Sequence, residues 1–260
     1  MKRTEIRSDI AWSAPDKVVI HGYNLCEDLV GKIDFGQMAF LQIFARMPKD
    51  ANELRMFNAV MVILVEHGIT PSSLATRLTY CGAPESVQAA VAAGLLGLGS
   101  VFVGSLDQAA KMLQTAIPDP ADPGDLQAKA QAIVEDYLSR KAIIPGIGHP
   151  FHKPIDPRTV ALFNVARETG YYGPYADLIT LIGEQAQRRT GKVLPVNVTA
   201  AMAAVVSQMG LNYRVCRGLA VAARAVGLVG HIIEETRMPM AGEIYMRIEH
   251  EASQHLAPKD

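Results

Sequence analysis

Ile144-Pro-Gly-Ile-Gly-His-Pro-Phe-His-Lys-Pro-Ile-Asp-Pro-Arg158 is the stretch on which the reading of this chain turns. Three prolines and two glycines lead into Asp156-Pro157, where an Asp can cap a helix and a Pro is tolerated in its first turn. The segment is too apolar for a plain solvent linker. Glycines let backbone approach a ligand, and His149, His152, Lys153 and Arg158 supply imidazole and cationic donors. A purely structural turn accounts for the same residues, so the stretch alone does not decide between packing and binding.

Outward from it, the periodicity on both sides is helical. Helices are predicted from about Asp125 to Lys141, over 157–169, 175–190 and 198–209, and over 211–236. Upstream, 37–46 should stop before Pro48, a second helix should run from about Asn52 to His67, and Pro71-Ser-Ser should open a third. From Pro84 to Ile117 an Ala, Val and Leu stretch carries Gly94, Gly97, Gly99 and Gly104, which allow close helix crossing or split it into two helices. Ile117-Pro-Asp-Pro-Ala-Asp-Pro-Gly124 has three prolines in seven residues and reads as a boundary or hinge. The polar tail from Met238 to Asp260 is expected to wrap a partner or fray. The fold class is therefore all-α.

Of the 260 residues, 49% are hydrophobic and 20% charged, which excludes a disordered chain and argues against a membrane protein. Twenty-five basic against 26 acidic residues leave a net charge of −1, so no global field favours nucleic acid or anionic lipid. Cys26, Cys81 and Cys216 form no CxxC pair, arguing against a zinc cage or disulfide framework and fitting a reducing cytoplasm. The charged start lacks an apolar core behind it, so no signal peptide is expected.

Two further residues stand out. His67 ends the apolar run Val60-Met-Val-Ile-Leu-Val-Glu-His, where a helix C-terminus favours a histidine with or without a ligand. Arg224 lies in Leu219-Ala-Val-Ala-Ala-Arg, where a charge needs a carboxylate partner or an anionic substrate. The tyrosines of Tyr171-Tyr172-Gly-Pro-Tyr175 read as a packed turn or as part of a substrate wall. His149-Pro-Phe-His152 shows no third ligand at an obvious position, and no metal is expected.

Taken together these residues resemble the citrate synthase superfamily. Gly146 to Arg158 is similar to its GxGH...DPR signature, Glu66-His67-Gly68 to its earlier histidine motif, and Leu219 to Glu235 to its late arginine-bearing helix. Gly94-Leu-Leu-Gly-Leu-Gly-Ser-Val-Phe-Val-Gly-Ser-Leu-Asp-Gln-Ala-Ala-Lys-Met-Leu113 most resembles the citryl-CoA lyase module of ATP-citrate lyase. The resemblance covers roughly residues 18–240 and implies large and small helical domains, assigned to 1–120 with 211–260 and to 121–210. It further implies a homodimer or higher homo-oligomer with a small-molecule acyl-CoA substrate. Coenzyme A would be part of that substrate and no separate cofactor is implied.

The same resemblance assigns roles. His149 matches the group that hydrogen-bonds the reacting oxygen and would accept or relay the hydroxyl proton, and His67 matches one that holds the dicarboxylate. Arg158 and Arg224 match carboxylate-binding arginines, and Ile144, Pro145, Gly146, Ile147 and Gly148 match the loop that cradles the adenine end of coenzyme A. Two departures qualify the match. Phe102, in the substrate-binding set, stands where citrate synthases carry an enolate-steadying histidine; the lyase module also has Phe there, which tilts the reading from condensation to cleavage. Thr199, in Asn197-Val-Thr199, stands where the family has a proton-transferring aspartate, and loss of such a group costs about 10²–10⁴ in rate. The expected activity is citryl-CoA lyase-like cleavage of a 3-hydroxy-acyl-CoA, against a related enzyme for another acyl-CoA or keto acid, or a noncatalytic acyl-CoA or citrate binder. No phosphate-loop or ATP-grasp sequence is found.

Overall fold

The computed structural model describes residues 6–99 and 104–256. It forms two compact units, one up to Ala59 and one from Val60 onward. The first opens with an antiparallel meander, β1 (Ala11–Ala14), β2 (Lys17–Ile20) and β3 (Tyr23–Asn24), in the order β1-β2-β3. His21-Gly22, at φ 46° and 88°, makes the two-residue turn between β2 and β3, both residues taking the positive φ that tight hairpins require. This meander is absent from the sequence expectation, because strands of two to four residues carry too little alternation to register.

Helix α1 (Phe35–Phe44) starts at a capping box in which Asp34 and Gln37 bond each other's backbone. With α2 (Ala51–Val65) it forms an aromatic core: Phe40 stacks on Phe44 at 4.3 Å and meets Phe57 edge-on at 5.3 Å. Arg46 lies over Phe40 and grips the buried Glu53 through two bonds of 2.7 and 2.8 Å.

The second unit continues with α3 (Pro71–Gly82), α4 (Val87–Leu96), α5 (Ser105–Ala116), α6 (Leu126–Ser139), α7 (Pro157–Thr169), α8 (Pro174–Thr190), α9 (Val198–Gln208), α10 (Tyr213–Arg237) and α11 (Ala241–Ser253). The architecture is all-helical, as expected. At its centre lies α9, whose residues from Ala200 to Ser207 are all buried. Alanines there let α5, α7 and α8 pack directly on it. The tail expected to wrap a partner or fray is ordered as α11, which packs on α3 and buries Ala241 at its start.

Among the described residues α10 alone is long and apolar enough to cross a membrane by length and composition, with a mean hydropathy of 1.4. Half of that span is buried, and it packs on α3, α4 and α5. Its buried stripe carries Arg224, His231 and Glu235, so it behaves as a core helix.

Where α4 crosses α3 and α10, Gly94 leaves no room for a side chain. A Cβ there would lie 2.7 Å from Leu228 Cδ1 and 2.8 Å from the Ser72 carbonyl, and against the Thr76 hydroxyl. Gly94→Ala should therefore destabilise the protein by about 1–3 kcal/mol despite alanine's better helix propensity, as read by urea denaturation.

Candidate active site

The N-terminus of α9 is shaped by its cap, Asn197. The Asn197 side-chain oxygen accepts from the Thr199 and Ala200 amides, while its Nδ2 donates 2.9 Å to the Gly148 carbonyl. Around that cap the 144–148 loop is stitched to the preceding strand-like segment. Gly148 N–H bonds the Pro195 carbonyl at 2.7 Å and Asn197 N–H bonds the Gly146 carbonyl at 3.0 Å. Gly146, at φ 82°, packs so tightly on Ala200 that a Cβ would meet its Cα at 3.0 Å. Ile144, Pro145, Gly146 and Ile147 are buried in this seam, and Gly148 reaches the wall of a cavity.

That cavity, about 290 Å³, lies among α3, α5, α7, α9 and α10. His67, His149, Arg158, Thr199 and Arg224 all line it, with Thr70, Ser72, Ser105, Asn197 and an apolar wall that includes Leu64, Leu98 and Met202. Residues as distant in sequence as His67 and Arg224 thus share one pocket. Phe102 lies outside the described residues. Among the described residues, no Asp or Glu lines the cavity.

Asp156 organises one side. Fully buried, it caps α7, accepts from Arg158 Nε at 3.0 Å and Nη2 at 2.9 Å, and takes the Val198 amide at 3.0 Å. Burial alone would raise its pKa; the Arg158 bonds and charge and the two amides outweigh it and hold the carboxyl below its ordinary range. Arg158, a quarter exposed, is thus oriented by Asp156 and presents Nη2 3.2 Å from His149 Nε2.

His149 is pinned from behind: its Nδ1 accepts the Phe151 and His152 amides at 3.1 and 3.0 Å. On the cavity side its Nε2 faces Arg158 Nη2, a group that only donates, so both ring nitrogens meet donors. Burial, then His152 and Arg158, lower its pKa; burial and Arg158 lower that of His67. Both rings therefore resist protonation.

Arg224 enters from α10, only 9% exposed, with Nε and Nη1 buried and unbonded. The Glu66 carboxylate stands 3.6 Å from Nη1, so the ion pair that the sequence allowed is present but long. Opposite, Thr199 Oγ1 donates 2.5 Å to Asn197 Oδ1 and accepts from Ser105 Oγ at 2.9 Å. Around Thr199 the described polar partners are thus a hydroxyl and an amide, with no carboxylate. Ser105 and Asn197 escaped the sequence reading as cavity residues; Asn197 was visible in its helix-capping position, whereas nothing local marks Ser105.

A third imidazole joins the His149–His152 pair, which the sequence alone left without one. Nitrogens of His67, His149 and His152 lie within 4.8 Å of one another, near enough for a shared metal ion. Arg158 beside His149 Nε2, and the charge of Arg224 acting on His67, oppose a cation there and favour an anion.

Residues 12–247 match the family described as citrate synthase, C-terminal domain, and the chain belongs to the citrate synthase family. Among solved structures it is similar to citryl-CoA lyase from Hydrogenobacter thermophilus, at 35% identity over 88% of this chain and 86% of that one, with a TM-score of 0.79. Its fold is also that of ATP citrate lyase from Methanothrix soehngenii in complex with citrate and coenzyme A, at 23% identity over 92% of this chain and 40% of that one, TM-score 0.71. A curated relative, probable ATP-citrate synthase of Dictyostelium discoideum, is 23% identical over 253 residues, 91% of this chain and 39% of the relative. The chain spans about two fifths of that protein's length.

Two outcomes follow. Asp156→Asn should cost about 2–3 kcal/mol in urea denaturation, since it leaves the partly exposed Arg158 without its charged partner. In NMR titrations the His149 and His67 rings should show midpoints below the ordinary 6.5. Depressed folded-state values mean that the unfolded chain takes up protons first, so these two groups stabilise the fold less as pH falls below about 6.5.

Proposed function

We propose that this protein is a citryl-CoA lyase-like carbon–carbon lyase that cleaves citryl-CoA, or a close 3-hydroxy-acyl-CoA, to acetyl-CoA and oxaloacetate or its analogue. The observation that carries the reading is the convergence of Arg158, Arg224, His67 and His149 on one cavity. Guanidinium forks suit planar carboxylates, and fixing them orients the breaking bond. As the tertiary hydroxyl loses its proton, the carbinol carbon becomes a carbonyl and the carbon–carbon electron pair passes to the thioester enolate. His149, on the cavity wall beside Arg158, accepts or relays the hydroxyl proton, and Arg158 offsets the charge that develops on the oxygen. Water ordered by the Ser105–Thr199 hydroxyls then protonates the enolate carbon.

In this reading the Ile144–Gly148 loop meets the adenine end of coenzyme A, and the large and small domains comprise 1–120 with 211–260 and 121–210. A cytoplasmic homodimer fits the apolar residues that α10 leaves exposed, Val215, Val226, Val229 and Ile233. One observation favours a second reading. With Thr199 already bonded to Asn197 and Ser105, and no carboxylate among the described lining residues, the same cavity suits a noncatalytic acyl-CoA or citrate binder, or an enzyme for a different acyl-CoA.

The test mixes the protein with citryl-CoA and follows the thioester products, then repeats the assay with Thr199→Asp. Expected is measurable native turnover that rises about 10²-fold or more with the carboxylate restored. Robust native turnover excludes the binding module. Turnover only in the mutant favours binding or a shifted substrate, and none in either overturns the lyase reading.

A further inference from the structure

Behind the cavity wall a chain of polar groups runs along one stripe of α10. Arg77, fully buried on α3, donates from Nε and Nη2 to His231 Nδ1 at 3.1 and 2.9 Å. Its Nη1 is anchored 2.6 Å from Glu235, and Nη2 also meets Glu234. Glu235 is in turn fixed by the Met240 and Ala241 amides at the start of α11, 2.8 and 2.7 Å away. Because Arg77 only donates, Nδ1 of His231 is the acceptor and its Nε2 carries a proton, 3.1 Å from Glu66 Oε2 in a close polar contact that lacks hydrogen-bond geometry.

Glu66 thus has two near partners, His231 Nε2 and the His67 amide at 2.8 Å, and one distant one, Arg224 Nη1 at 3.6 Å. Gly227, one turn along α10 from Arg224, makes the approach possible, since a Cβ there would strike the Val65 carbonyl and lie 3.0 Å from Glu66 Oε2. The result is unusual for a buried cation. Arg224 has a carboxylate close enough to balance its charge, yet its Nε and Nη1 make no hydrogen bond. Leaving the donors of a buried charged group unbonded is costly, and contact with Glu66 would relieve it. Something holds the carboxylate back.

We infer that His231, locked by Arg77, restrains Glu66 at a stand-off from Arg224, so that the guanidinium stays charge-balanced while its N–H groups remain open to an incoming carboxylate. The inference rests on the reading of Arg224 as a carboxylate-gripping residue. His231 and Arg77 are positioning residues that act through Glu66 and touch no substrate. Without His231, Glu66 closes on Arg224 and competes with the ligand for the same donors.

The experiment titrates citrate calorimetrically into the native protein and into His231→Ala, Glu66→Gln, the double variant and Arg224→Ala, with circular dichroism for folding. His231→Ala should weaken citrate about tenfold or more, the scale of one charge-assisted bond gained by the competitor. Glu66→Gln should bind as tightly as the native protein or more so, and the double variant should recover to within about threefold of native. A merely structural His231 would give a double variant no better than His231→Ala, which overturns the stand-off. So would an unchanged affinity in His231→Ala. Glu66 is half-exposed and tolerant of substitution, so a tenfold loss in Glu66→Gln would overturn it even if His231→Ala did not fold. If the native protein binds no citrate, or Arg224→Ala binds it as well as native, the carboxylate-gripping reading itself fails.

Discussion

The buried carboxylate of Asp156 is the constraint from which the site follows. One side chain caps α7, accepts the first amide of α9 and orients Arg158 by two bonds. Two helix starts and a guanidinium are thereby fixed by a single group, and Arg158 in turn faces the imidazole of His149. A carboxylate left without these partners would be expensive to bury, so the loop, the two helices and the arginine can only assemble together. That mutual dependence explains how a proline- and glycine-rich loop can hold one wall of the cavity in place.

Electrostatically the cavity is one-sided. Two guanidinium groups and imidazoles that resist protonation face it, and the neutralising carboxylates, Asp156 and Glu66, are kept off the described lining. Positive charge is therefore offered to a ligand without being cancelled by the protein at the same surface. Rigid donors aimed at an anion in a partly dry cleft are worth more than the same donors in water, because they need no reorganisation when charge moves.

Much of this was legible in the sequence because it is carried by local order. Asp156-Pro157 marks a helix start, Gly146 and Gly148 mark backbone with positive φ, and an arginine in an alanine-rich helix marks a buried charge in need of a partner. The helices over 157–169 and 198–208 follow from spacing, caps and breakers. The illegible parts depend on contacts between distant segments. Nothing near Arg77 announces that it meets His231, and nothing near Ser105 announces that its hydroxyl reaches Thr199 across 94 positions. The short meander at 11–24 escaped because its strands are too brief for alternation, and α11 because its start is held by Glu235 of the preceding helix and a single buried alanine.

The hydroxyl pair of Ser105 and Thr199 has a stereochemical consequence. A carboxylic acid held to one side of an enolate delivers hydrogen to a single face, and a methyl group built from isotopically distinct hydrogens then has one handedness. Hydroxyls that are already engaged with Asn197 hold no such acid in place. Under the proposed lyase reading, an enolate formed beside them would take its hydrogen from water held by those hydroxyls, and the handedness of the resulting methyl group would follow from where that water sits.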